Sequence, residues 1–422
     1  MEHRAICKNG LEVFDYRNPN IHGFFVSLFL RAGCMYEAEC ERGITHFLEH
    51  ILVRNVNKLS DMTLYRTLDR FGMNFNASTY SEMVQFYVSG ASHHFSEGID
   101  ILDKLLRPIA LTKSEVDAER RRIKAEIREN DDKSSLSSFS SEKVFEGTPL
   151  AYSITGTNKS VDAISAKRLE EYRKRIFTPE NLFVYVTGNF TDADIELLCR
   201  TLGERELFDG EIHDNVAPVP QKFGKREPEI AVKNSDYTSV RFSFDIDMAE
   251  VTPPECDLLY DALFSGYNSP FFVEMSEEKG LFYDISGATE CYRNIGVLHF
   301  NYELKEKNLY DALIASVNIL SGIKQNLLSE EDCMKAGYVD NASMLLDDER
   351  EFNFTFAYDN HIMRLGFSSL EDRIEAYRAV TPERIRRAAC QIFRPENLTL
   401  SIKANKKRVD TERIKEILKG LR

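Results

Sequence analysis

The sequence predicts an α+β protein built from two homologous halves, each a mostly antiparallel β-sheet packed with long α-helices. Three observations predict it. The chain has 422 residues, more than one hydrophobic core usually supports. It contains an internal repeat, and strand and helix patterns alternate irregularly instead of in regular β–α–β units. The repeat is direct: IFTPENLFVYV begins at Ile176 and IFRPENLTLSI at Ile392. The segments upstream, SAKRLEEYRKRIF and TPERIRRAACQIF, match at the same offset. Each copy reads as a helix stopped before Pro, a turn, a strand rich in β-branched and aromatic residues, and a further helix. These copies predict a first domain over 1–205, a polar linker over 206–228 and a homologous second domain over 229–422.

Within the halves, GFFVSLFLRAG (from Gly23) and SVRFSFDID (from Ser239) read as strands. SDMTLYRTLDRFG reads as a helix capped by Ser60 and stopped by Gly72, with Leu64, Leu68 and Phe71 on one face. SEVDAERRRIKAEIREN reads as a helix starting at Ser114, with Asp117 completing the cap and Val116, Ile123 and Ile127 forming the buried stripe. The run KSSLSSFSSEK at 133–143 reads as a mobile loop.

Composition narrows the function classes. Apolar residues make up 43% of the chain and charged residues 29%, a globular balance. A formal charge of −14 argues against a nucleic-acid-binding surface and against anionic membranes. The N-terminal stretch MEHRAICKNGLEVFDY contains no apolar signal core, and no window approaches the ~18 apolar residues of a membrane span. Eight scattered cysteines without a C-x-x-C pair read as reduced core thiols. Together these predict a soluble, cytoplasmic chain.

The chemistry-bearing segment is GITHFLEHIL. On a helix, His46 and His50 lie one turn apart on the same face, with Glu49 beside them. Two imidazoles at that spacing can share a zinc ion, and the carboxylate can serve as general base. Two surface histidines beside an apolar helix face would give the same spacing. The helix from Ser114 weighs against that reading. Glu119 and Glu126, two turns apart, fall on or beside its buried stripe, and buried unpaired carboxylates cost several kcal/mol unless a cation or strong donors meet them. The charged runs ERRR and RENDD on the same helix read as a solvated face. His93 and His94 are adjacent and diverge, so they read as surface residues.

RAGCMYE at 31–37, GITHFLEH at 43–50, GMNFNASTY at 72–80 and the Glu119-Arg-x₅-Glu126 pattern resemble the pitrilysin/insulysin family of inverted-motif zinc peptidases. The resemblance is strongest to the branch of the mitochondrial processing peptidase and its bacterial relatives. It extends over essentially the whole chain. It implies that His46, His50 and Glu126 ligate Zn2+, that Glu49 activates the attacking water, and that Glu119 is an acid behind the ligands that tunes or orients them. It also implies that NASTYSEMVQFYV is an edge strand onto which a peptide adds, with Asn76 and Ala77 near the scissile bond and Tyr283 binding substrate from the second half. The activity expected from the family is hydrolysis of short or unfolded peptides, leader peptides among them, in a chamber made of two such chains.

One position departs from the family. Its second half carries an Arg and a Tyr seven residues apart. In SPFFVEMSEEKGLFYD, Tyr283 is present but Ser276 occupies the Arg position, and a serine supplies neither charge nor a bidentate fork. In the family the zinc of one half faces that pair on the other half, in two-chain members on the partner, so a homodimer of this chain would lack the arginine at every site. A heterodimer with a homologous subunit that supplies Arg and Tyr is therefore expected. Two other readings compete: a non-catalytic peptide-binding or scaffold subunit, and a structural metal site. Structural zinc usually takes four protein ligands, often Cys, and no cysteine accompanies this motif.

Overall fold

The computed structural model describes residues 1–130, 135–329, 339–340, 344 and 348–422. Strands β1 to β6 are His3–Ile6, Glu12–Arg17, Gly23–Leu30, Asn74–Thr79, Val84–Ala91 and Leu182–Gly188. Strands β7 to β11 are Glu229–Asn234, Thr238–Asp247, Phe282–Cys291, Ile295–Leu304 and Leu398–Ala404. Helices α1 to α7 are Ile44–Leu59, Leu64–Phe71, Phe95–Leu106, Lys113–Asn130, Leu136–Val144, Asn158–Ala163 and Ala166–Ile176. Helices α8 to α14 are Asp192–Leu202, Pro253–Phe264, Leu309–Gln325, Glu349–Ala357, Leu370–Arg378, Pro382–Ile392 and Thr411–Leu418.

The chain forms two compact units. The first comprises 1–132, 152–215 and 345–370; the second comprises 133–151, 216–344 and 371–422. Each is an α+β layer structure. The first sheet runs β1-β2-β6-β3-β5-β4 and the second β7-β11-β8-β10-β9. In each sheet one pair is parallel, β2 with β6 and β7 with β11, and the remaining pairs are antiparallel. The repeat is visible in this pairing. Ile176 and Ile392 close α7 and α13, and Leu182 and Leu398 open β6 and β11. The strand of each copy then sits between a parallel and an antiparallel neighbour.

One face of each sheet builds the main core. Val26, Leu28 and Leu30 of β3 alternate inward against Phe47, Ile51 and Ile123 in the first unit. Val240, Phe242, Phe244 and Leu400 do the same in the second. The opposite faces are covered by helices that the two halves exchange. In the first unit α11 lays Phe352 and Phe356 against Phe14, Phe29 and Phe183. Asn353, fully buried, accepts from Ser27 Oγ at 2.6 Å and donates to the carbonyls of Phe25 and Tyr185. In the second unit α5 covers the sheet with hydroxyls, Ser140 Oγ lying 3.2 Å from Ser243 Oγ. Arg226, ion-paired to buried Asp245 at 2.8 Å, donates to the carbonyl of Val144 at the helix end.

Four sequence expectations are corrected. The serine run is not a loop where it is described: Ser135 caps α5, accepting from Ser138 N–H, while 133–134 lie outside the described residues. Ser140, the buried serine of α5, faces the Ser243 hydroxyl of the sheet, so its burial left no apolar signal. Helix α2 starts after Thr63, and Ser60 instead ends α1. Helix α4 is capped reciprocally by Thr112 and Glu115, two residues before the expected Ser114 and Asp117, although Val116, Ile123 and Ile127 are buried as expected. The cysteines are not all core thiols: Cys40 and Cys390 are exposed.

Candidate metal centre

Helices α1 and α4 carry the candidate donors. The N-terminus of α1 has no side-chain cap of its own; Gly43 there takes a left-handed φ of 85°. The buried Glu37 carboxylate replaces the cap, accepting from Gly43 N–H at 2.8 Å and Thr45 N–H at 2.9 Å. Thr45 Oγ1 also lies 2.7 Å from Tyr172 OH on α7. These contacts anchor the turn on which His46 stands.

His46, His50 and Glu126 converge, with one donor atom from each lying within 4.8 Å of the others. Glu126 Oε2 is 3.3 Å from His50 Nε2 and 3.7 Å from His46 Nε2. The two rings meet edge-to-face at 4.7 Å. Glu119 stands behind them, with Oε2 3.5 Å from His50 Nδ1 and Oε1 accepting from Arg54 at 2.5 Å. Its side chain is 2% exposed against 38% for Glu126, which distinguishes the sealed acid from the open one. Glu49 accepts from Thr79 Oγ1 of β4 at 3.3 Å. The roles of Glu37, Thr79 and Arg54 appear only in the structure. Arg54 was detectable as the next step of the four-residue spacing after His46 and His50.

The titration behaviour follows from burial and neighbours. Burial, aided by His50, pushes the His46 imidazole down to about 4, so it is neutral at physiological pH. His46 Nδ1 is buried and without a hydrogen-bond partner among the described residues. For His50, burial opposes the charge, but Glu119, Glu49 and Glu126 outweigh it and raise the value. Burial raises Glu49, which makes it a better proton acceptor than a solvated carboxylate. Glu119 is lowered despite burial, because His50, Arg54 and Arg122 surround it. Two imidazoles and one carboxylate are a zinc donor set, and three protein donors instead of four match a centre with an open position. The residues present therefore fit such an ion.

The expected substrate residues lie on two strands. Asn76 and Ala77 stand on β4, which among the described residues pairs only with β5 and is the edge of the first sheet. NASTYSEMVQFYV is not one edge strand: it folds back after Thr79, and its second part is β5, an interior strand. Asn76 is exposed and Oδ1 accepts from Ala77 N–H, while Ala77 packs against the core. Tyr283 lies in β9, the edge of the second sheet, and its side chain is outside the described residues. Ser276 sits in the helical turn Phe272–Glu278, and nearby Lys279 is engaged by Glu274 at 2.5 Å.

Residues 14–158 match the model of the insulinase family (peptidase family M16), and 163–336 match that of the peptidase M16 inactive domain. The chain belongs to the insulinase family of peptidases. An uncharacterized zinc protease of Bacillus subtilis, YmxG, is 21% identical to this family member over 92% of its length and 95% of its own. Subunit 1 of the mitochondrial cytochrome b-c1 complex of Caenorhabditis elegans is 29% identical over 86% of the chain and 77% of its own. A protease from Helicobacter pylori has the same fold, with a TM-score of 0.82 at 18% identity, covering 96% of the chain and 99% of its own. Among the described residues no helix is long and apolar enough to cross a membrane.

Proposed function

We propose that this chain is the zinc-bearing subunit of a metalloendopeptidase acting on short or unfolded peptides. The observation that carries the reading is the convergence of His46, His50 and Glu126, with Glu49 on the same turn of α1. Zinc held by those three residues would polarise the scissile carbonyl and acidify water toward neutral pH. Glu49, made more basic by burial, accepts the proton of the attacking water and delivers it to the leaving amine as the C–N bond breaks. Thr79 holds the Glu49 carboxylate and ties it to β4, the edge on which a peptide would add as a further strand. Asn76 and Ala77 would flank the scissile bond there.

Ser276 in place of the family's arginine supports a heterodimer, in which a homologous partner supplies Arg and Tyr to this centre. The same substitution, with the likeness to a cytochrome b-c1 subunit, favours a second reading: a peptide-binding or scaffold subunit without activity.

Zinc content and cleavage of a quenched peptide library, measured for the full chain and its Glu49→Gln variant, test the first reading. One zinc per chain in both proteins, cleavage by the parent that chelation abolishes, and a loss of at least 10²-fold in the variant are expected. Zinc without cleavage, both alone and with a homologous partner, would leave the scaffold reading.

A further inference from the structure

His46, His50, Arg54 and Lys58 recur every four residues along α1 and so share one face. Glu126, Glu119 and Glu115 of α4 stand opposite. The pairing runs in antiparallel order. Lys58 Nζ is 3.0 Å from Glu115 Oε1, Arg54 is 2.5 Å from Glu119 Oε1, and His50 lies between Glu119 and Glu126. His46 meets Glu126 at the end. The candidate metal donors are thus the terminal rungs of one ladder of bases against acids.

Glu119 occupies the decisive rung. Both its oxygens are engaged, Oε1 by Arg54 and Oε2 by His50 Nδ1 and Arg122, each of the latter at 3.5 Å. Arg54 makes the shortest of these contacts and so fixes where the carboxylate stands against His50. A Glu119 oxygen held facing Nδ1 favours the tautomer of His50 with its proton there, which leaves the Nε2 lone pair directed toward Glu126.

We propose that Arg54 is a positioning residue of the metal centre: through Glu119 it holds His50 in the tautomer and orientation in which Nε2 can bind the metal. The inference rests on the zinc-centre reading above. If Arg54 only fastened α1 to α4, the ion pair of Lys58 with Glu115, on the same two helices, would matter as much.

The test is zinc affinity of the full chain by competition with a chromophoric chelator, together with the visible spectrum of the cobalt-loaded protein. Arg54→Met is expected to weaken zinc about tenfold and to alter the cobalt bands. Arg54→Lys should stay near the parent, and Lys58→Met should match it. Glu119→Gln, similar in shape but uncharged, should weaken zinc as Arg54→Met does, and it carries the test should the methionine variant fail to fold. Parent-like affinity in either Arg54→Met or Glu119→Gln would overturn the inference, as would equal weakening in Lys58→Met. A parent that binds no zinc would overturn the zinc-centre reading and this inference with it.

Discussion

Gly33 leaves no room for a side chain, since an added Cβ would lie 2.2 Å from the carbonyl oxygen of Ser81 in the β4–β5 turn. Its backbone is extended, so close approach and not conformational freedom demands glycine here. Met35 N–H donates to the same Ser81 carbonyl, which fixes the hairpin whose Thr79 reaches Glu49. Gly33→Ala is expected to cost about 1–3 kcal/mol, read as a lowered thermal midpoint, with a fall in peptide cleavage beyond the loss of folded protein. An unchanged midpoint would mean the turn yields at no cost. The segment RAGCMYE was legible as a motif, but this reason for its glycine was not, because Ser81 is distant in sequence and only folding brings it close. Glu37 is a similar case: its carboxylate caps a helix that starts seven residues later.

At the scale of elements, overlapping local signals explain the misplaced caps. Thr112-x-x-Glu115 and Ser114-x-x-Asp117 are both capping patterns, and the choice between them is made where Val116 enters the core. The cap of α9 shows how much such a box can carry. Glu255, fully buried, accepts from Thr252 N–H at 2.8 Å and from Arg384 and Arg387 at 2.9 Å each. Burial raises its value, but Thr252 and Arg384 outweigh that and hold the carboxyl below the usual glutamate range. A depressed folded-state value means the unfolded chain takes up the proton first as acid is added. Its contribution is therefore present above the ordinary glutamate range and lost as pH falls through the folded value. Glu255→Gln should lower stability at pH 7 by about 1–3 kcal/mol, and the gap should narrow by pH 3.5. Denaturant midpoints at both pH values check this, and a gap that widens with acid would contradict it.

Across the whole molecule, the two exchanged helices are held by different chemistry. Helix α11 brings aromatic rings, Tyr16 and Phe352 lying 4.7 Å apart, and the buried Asn353 amide stitches β3 to β6. Helix α5 offers serines and a carbonyl end met by Arg226. Asn353→Ala would remove the acceptor of the buried Ser27 hydroxyl and a donor to two strand carbonyls, at about 2–3 kcal/mol. Urea unfolding followed in the full chain checks it, and a loss within 0.5 kcal/mol, the ordinary range of surface substitutions, would show that the rings alone hold the helix.

The duplication, the α+β class and the grouping of His46, Glu49 and His50 on one helical turn were determined by the sequence itself. Each depends on short-range periodicity or on a repeated segment, which needs no partner to be read. Tertiary structure alone decided the exchange of α5 and α11, the folding of NASTYSEMVQFYV into a hairpin, and the sealing of Glu119 between His50 and Arg54. For the exchanged helices and for Glu119 the deciding partner lies far away along the chain, while the hairpin pairs neighbouring segments across an unmarked turn. Ser140 of α5 is buried against the Ser243 hydroxyl, the chain turns back after Thr79 without a Gly or Pro to mark it, and Glu119 meets Arg54 and His50 from a helix more than sixty residues earlier. Burial of polar groups follows the partner found in space, and hydrophobic patterning carries no trace of it.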